Sequence, residues 1–409
     1  MTDTLMSQAI VDDTTDSERR ARFPVGASLE FGDLQDAGRE SALDRLRHAE
    51  PVSWVPALGG WLVTSRAAAR AVLSPRTAMT VEVAENLVRA SLGRMMLTTD
   101  ADEHARLRRP FERPFKLGTV QGTFGDVILE EAESLLAAMP PKGEAELGAT
   151  FAAPFAVRMA GRMLGLSLGE TAQIDRIYSA FAAAMVYDGN PEPQRDADRA
   201  RAELDEILHG ELDRCRRQPA DSITSQVVAD PEGLTDDEIV AQLRVIMFGA
   251  VETIQASVMN TLLLLFQHPA QLADVRKDSS LIGGAVDEAI RLVPPVAFVE
   301  RWTSTPLDVE GVVIPAGEFV GISVLAANRD PATFPDPTSF DMRRANAARA
   351  LSFAFGIHAC LGVHLARIET ATALERILTR LPALTLVEHD PPSGFAFRRP
   401  ATLTATWGA

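Results

Sequence analysis

One stretch narrows the possible folds more than any other: Val245 to Phe266, 22 residues that are mostly apolar. As a helix it would be about 33 Å long at ~1.5 Å per residue, enough to cross a bilayer. It carries Glu252, Gln255 and Asn260 at its middle, and an ionised carboxylate is costly there in lipid. The charges on either side are not arranged as membrane anchors. The stretch reads as the central buried helix of a globular protein, and its acid as a pointer to function.

The rest of the composition agrees. The 409 residues are 46% hydrophobic and 23% charged, as in ordinary soluble proteins. A chain this long can bury about 75% of its unfolded surface without staples. Its 40 basic and 56 acidic side chains leave a net charge of −16, which argues against broad binding to nucleic acid or to an anionic membrane. With only Cys215 and Cys360, there is neither a disulfide framework nor a four-cysteine metal site. The first twenty residues are polar and acidic and lack the apolar core of a signal peptide. The expected location is the cytoplasm.

Along the chain, residues 1–22 read as a disordered leader. A hairpin follows, with Val52–Val55 and Trp61–Thr64 around Gly59-Gly60. Helical periodicity runs from Asp102 to Arg217, broken at Pro140-Pro141 and at Asp188–Pro193, and resumes until Pro294-Pro295. Short strands are expected over 296–325, then a Pro- and Asp-rich irregular stretch to about 350. A helix over 361–380 and a C-terminal hairpin complete the chain. No repeat or linker divides it. The expectation is one mainly α domain with a smaller β portion, over 23–409.

Several motifs compete for the chemistry. Gly165-Leu166-Ser167-Leu168-Gly169 has the spacing of a hydrolase nucleophile elbow, but that motif must leave a strand. The residues before it read as helix, and Ser167 stands three before Glu170, the spacing of a capping box. Zinc-hydrolase histidine spacing and a phosphate-binding Gly-rich loop are both missing from the sequence. Glu288 and Arg291 share one helical face, as do His104 and Arg108, and such pairs are usually solvated. The strongest local pattern runs from Phe353 to Gly362. It places Cys360 after a loop containing Gly356 and just before a helix with Gly362 in its first turn. Amides at a helix start favour thiolate there, and a thiolate on iron donates electron density that promotes O–O cleavage.

On these residues the sequence resembles the cytochrome P-450 haem-thiolate monooxygenases. The loop with Phe353, Gly356, His358 and Cys360 resembles the FGxGxHxCxG signature, and Glu288 with Arg291 the ExxR pair. Asn328-Arg329-Asp330-Pro331 and Phe340-Asp341 match the stretch between them. Gly249-Ala250-Val251-Glu252-Thr253 is similar to the oxygen-binding groove of the central helix. The resemblance implies heme b (iron protoporphyrin IX) as cofactor, with Cys360 as axial ligand. It also implies His104, Arg108 and Arg301 as partners of the haem propionates. There are three departures. Ala354 stands where the loop usually has its first glycine, the groove's usual Ala-Gly is Gly249-Ala250, and Ala350 replaces a histidine, which leaves one propionate contact open, with neighbouring Arg349 as the candidate for it.

The activity implied is oxidation of a small hydrophobic substrate by O₂ and two electrons, with Thr253 placing dioxygen and a water and Glu252 relaying protons. Glu288, Arg291 and Arg344 would hold the cysteine loop. No flavin or nicotinamide module is evident, so electrons are expected from a ferredoxin and ferredoxin reductase. The docking face is expected around His104, Arg106, Arg108 and Arg109, with Arg106 and Arg109 equally open to the reading that they only hold propionates and helix ends. Atypical family chemistry (peroxide-driven oxidation, coupling, nitration) and a non-catalytic haem sensor are the rivals. The retained acid–alcohol pair favours monooxygenation over both. Pocket walls are expected from 74–98, Tyr178–Pro193, Phe248, Val296–Val299 and Phe395–Phe397.

Overall fold

The hairpin around Gly59-Gly60 seeds the largest sheet. In the computed structural model, which describes residues 13–35, 38–74, 78–185 and 192–408, β1 (Val52–Val55) and β2 (Gly60–Val63) pair antiparallel, Val52 opposite Val63. Tryptophan and β-branched residues in both strands suit a buried pleated surface. The described chain divides into two compact units, each gathered from distant segments.

The first unit takes its residues from within Met1–Val83, Leu263–Cys360 and Asp390–Ala401. Its five-stranded sheet has the order β1-β2-β8-β5-β3, with β3 at Met79–Thr80, β5 at Phe298–Thr303 and β8 at Phe319–Ser323. Only β2 and β8 run parallel; the β5–β8 and β3–β5 pairs are antiparallel. A small ribbon of β6 (Leu307–Val309) and β7 (Val312–Ile314) lies between β5 and β8 in sequence. Trp54, Trp61, Val320, Ile322 and Leu351 share one buried cluster, against which Phe355 also packs. Removing this apolar surface from water is the main stabilising term. It also anchors both sides of the segment that leads to Cys360.

The leader expectation needs correction. Asp13–Arg22 form a helix, tied down because Trp54 Nε1 donates to Asp16 at 2.8 Å and Arg19 pairs with Glu318 at 2.9 Å. Both partners lie far away in sequence. Residues 1–12 lie outside the described residues, as do Asp188–Pro191 of the expected helix break. Helices Leu168–Ala184 and Glu192–Arg217 flank that break.

The second unit comprises Ala84–Leu262, Leu361–His389 and Thr402–Ala409. It holds most of the long helices. Leu117–Ala137 packs on Val363–Arg380, and Arg376 and Arg380 both reach Glu133. The central helix runs unbroken from Asp236 to Gln267, and 67% of its most apolar stretch is buried inside the protein, as the core-helix reading requires. The C-terminal strands β9 (Thr385–His389) and β10 (Leu403–Trp407) pair antiparallel. They do not close a simple hairpin, because Asp390–Ala401 belongs to the first unit. A strand that the sequence reading passed over, β4 (Gly143–Glu146), pairs with β10 along its other edge.

Candidate functional site

The cysteine loop is built by its own backbone. Ala354 N–H donates to Leu351 O at 2.8 Å, Ala359 N–H to Gly356 O at 3.1 Å, and Cys360 N–H to Phe353 O at 2.8 Å. These turns require left-handed residues at Ala354 (φ 59°) and Gly356 (φ 81°). Glycine adopts that region freely, whereas an alanine is strained there. The alanine at 354 thus holds a left-handed turn at an energetic cost. Cys360 ends the loop exposed. Gly362 is the N-cap of the Val363–Arg380 helix rather than part of its first turn, so the cysteine lies just before the helix.

Behind the loop sits a buried charge cluster. Arg291 donates Nε and Nη2 to the two oxygens of Glu288, both at 2.7 Å, and Arg344 Nε adds a bond to Glu288 at 2.8 Å. The third member expected from sequence is therefore in place. Arg291 also donates to the carbonyls of Asn328 and Pro337. Asn328 passes the order on: its Oδ1 accepts from Leu351 N–H at 2.7 Å, and its Nδ2 donates to Ser352 Oγ at 2.8 Å. Ser352 Oγ in turn donates to Ile290 O. The helix bearing Glu288 and the start of the cysteine loop are thus joined through one asparagine, whose role the sequence reading did not single out.

On the central helix, the Thr253 hydroxyl donates back to the Gly249 carbonyl. Ser257 repeats this to Thr253 O, and Thr261 to Ser257 O, each at 2.7 Å. These hydroxyls form a ladder along one face. Despite Gly249, the helix is continuous there. Glu252 is half-buried beside Thr253.

The basic residues are more committed than expected. His104 is buried, and its Nδ1 donates to Met96 O at 2.6 Å. A carboxylate approaching this ring would therefore meet Nε2. Arg108 reaches Glu112 at 3.6 Å. Arg106 pairs with Glu103 and Glu238, and Arg109 with Glu232. On the first unit, Arg301 sits half-buried in β5, with Nη1 on Glu300 O at 2.6 Å. Arg349 is exposed, and its carbonyl accepts two bonds from Arg66. Among the expected pocket walls, Phe395 is interior: its ring lies 4.5 Å from Phe298 and 5.0 Å from Phe31.

The other candidates resolve plainly. Ser167 caps the Leu168–Ala184 helix in a reciprocal box with Glu170, so it is not a nucleophile. Cys215 is buried, and desolvation, reinforced by Glu211, pushes its thiol up to about 12. A thiol so protonated is a poor ligand. No group of three or more His, Cys, Asp or Glu suited to a metal ion occurs among the described residues. One acid escaped the sequence reading. Glu369 is buried, its Oε1 has no hydrogen-bond partner among the described residues, and burial raises its carboxyl to about 8. A lone acid on an amphipathic helix gives no sequence signal of burial.

On the first unit the donors fit a haem: one accessible soft sulfur held by backbone bonds, and the Arg301 guanidinium suited to a carboxylate. Comparison with known proteins agrees. The family model described as Cytochrome P450 matches residues 194–397. The cytochrome P450 monooxygenase PikC of Streptomyces venezuelae is 33% identical over 390 residues, covering 90% of this chain and 91% of that protein. The vitamin D(3) 25-hydroxylase of Pseudonocardia autotrophica is 33% identical over 297 residues, 71% and 72% of the two chains. The crystal structure of P450BioI with hexadec-9Z-enoic acid ligated acyl carrier protein superposes with a TM-score of 0.84 at 27% identity, covering 92% and 99%. The chain belongs to the cytochrome P450 family, an oxidoreductase of the monooxygenase class whose cofactor is heme b.

Proposed function

We propose that this protein hydroxylates or epoxidises a small hydrophobic molecule, a natural-product or lipid-like scaffold, in the cytoplasm, as a single catalytic domain that includes the Asp13–Arg22 helix. Heme, when bound, supplies the activation of O₂ and the transfer of one oxygen atom to substrate. Cys360 provides the thiolate, the turns bonded through Phe353 and Gly356 hold it in a fixed place, and His358 completes the loop's haem-binding set. His104, Arg108 and Arg301 neutralise the propionates, for which guanidinium forks are suited. A relative named for vitamin D(3) and a neighbour in complex with hexadec-9Z-enoic acid ligated acyl carrier protein support an apolar substrate.

The observation that carries the monooxygenase reading is the Glu252–Thr253 pair on an unbroken helix. The Thr253 hydroxyl, donating to Gly249 O, presents its oxygen as an acceptor for a water. Half-buried Glu252 can exchange protons with solvent and pass them on. Electrons come from a ferredoxin and its reductase. The supporting surface is on the first unit, where Arg70 lies 4.3 Å from the Phe355 ring of the cysteine loop. Arg70 and Arg349 are both exposed, and both lie close enough to help lower the pKa of Arg66.

The test is coupling. Thr253→Ala should consume reductant at a rate near the parent's while product falls and peroxide accumulates. Full coupling in that variant would overturn the proton route. Cys360→Ser should abolish the thiolate signature of the reduced carbon monoxide complex, and Cys215→Ser should leave it intact.

A further inference from the structure

Residues 393–399 form a turn pinned to the rest of the first unit. Ala297 N–H donates to Ala396 O at 2.7 Å, Arg398 N–H donates to Pro295 O at 2.9 Å, and Val296 and Phe397 form a bridge. The turn depends on Gly394 at φ +109°, where a Cβ would lie 2.1 Å from the Phe397 carbonyl oxygen. Only glycine fits that geometry. From beneath, Arg39, 1% exposed, donates Nη1 to the carbonyls of Gly394 (2.7 Å) and Phe395 (2.8 Å). Its guanidinium also lies 5.5 Å from the Phe395 ring.

This is an expensive way to close a turn. A buried cation needs acceptors on its N–H groups, yet Arg39 Nε has none among the described residues. Arg398 and Arg329 stand close enough to repel it, and the nearby carboxylate, Glu40, is already paired with Arg398 at 2.6 Å. What the arrangement secures is the conformation of the turn. Phe395 and Arg398 face inward and are buried, whereas Val296 and Phe397, bridge partners, are half-exposed side by side.

We propose that Arg39 is a positioning residue for substrate: by holding the Gly394 and Phe395 carbonyls, it fixes Phe397 beside Val296 as an apolar wall for the substrate's ring or chain. This rests on the haem-monooxygenase reading above. Arg39 touches no substrate; it acts through the turn.

Azole binding to the haem-loaded protein, followed by its absorbance shift, separates this role from a structural one. Imidazole is too small to need the wall, and 4-phenylimidazole presses a ring against it. Arg39→Met should weaken 4-phenylimidazole by about fivefold or more and leave imidazole within about twofold. Phe397→Ala should do the same, and the double variant should lose no more than either alone. Gly394→Ala distorts the same turn without touching Arg39 and should show the same selectivity, which covers a failure of Arg39→Met to fold. Equal effects on both azoles, or additive losses, would overturn the proposal. Hydrogen exchange of the 393–399 amides needs no haem and should quicken in Arg39→Met; unchanged exchange would also overturn it. A parent protein that bound no haem would instead sink the monooxygenase reading, with the exchange result still standing.

Discussion

Arg291 gives two hydrogen bonds to Glu288, each 2.7 Å long, and both side chains are wholly buried. Removing one partner of such a pair leaves the other charge uncompensated in a dry interior, which typically costs about 3–5 kcal/mol. Arg291→Leu should therefore lower the thermal midpoint sharply and empty the protein of haem, because the Asn328 relay to Leu351 and Ser352 goes with it. Arg344→Leu removes a single bond from Glu288 beside three backbone-carbonyl contacts, and should cost less. Denaturant titration of both variants would show the order; equal losses would contradict the relay.

Ala354→Gly should stabilise the protein. The native φ of 59° costs an alanine about 1–2 kcal/mol relative to the right-handed region, and glycine's greater unfolded entropy takes back about 0.5–1 kcal/mol. A gain of up to about 1 kcal/mol in denaturant unfolding is the expected result. A loss would mean that the methyl group makes a contact worth more than the strain.

Glu369 sets a pH dependence. Its carboxyl titrates near 8 in the folded chain because of burial, against 4.5 ordinarily. The folded state then keeps a proton that the unfolded state has lost, so stability declines as pH rises from about 4.5 to about 8. Its contribution is fully favourable below that window and lost above it. Glu369→Gln should flatten the decline, gaining on the parent by at most about 1.4 kcal/mol per pH unit. A parallel pair of stability–pH curves would refute the assignment.

Arg70→Glu should slow reduction by a ferredoxin about five- to tenfold at low salt, with the difference shrinking as salt screens the pair. Reversing Arg109, already paired with Glu232, should have a weaker effect. Stopped-flow reduction over a salt series distinguishes the two faces. A larger effect at Arg109 would restore the face expected from the sequence.

What the sequence made legible was local. The Ser167 capping box, the hairpin at Gly59-Gly60, the ExxR pair and the cysteine loop each depend on spacings of a few residues. They fold as those spacings demand. What it hid was long-range. The cross-chain partners of Arg106 and Arg109, Glu238 and Glu232, stand more than a hundred residues away, so no local spacing announced them. The Asp13–Arg22 helix looked disordered because Trp54 and Glu318 are what hold it. Gly143–Glu146, with three polar or flexible residues in four, carries no strand pattern; pairing with β10 makes it one. Arg39 drew no notice, since nothing near it in the chain announces the turn at Gly394.

The contrast between the two thiols has a practical consequence. Cys215 donates to Glu211 at 3.0 Å, is buried, and keeps its proton to about pH 12, so toward an electrophile the chain behaves as a single-cysteine protein. Cys360 is the exposed one, and a metal ion on its sulfur would shield it. Alkylation of the native protein therefore counts molecules that lack their cofactor, one label per empty chain, and gives a direct stoichiometry for every variant above that keeps Cys360.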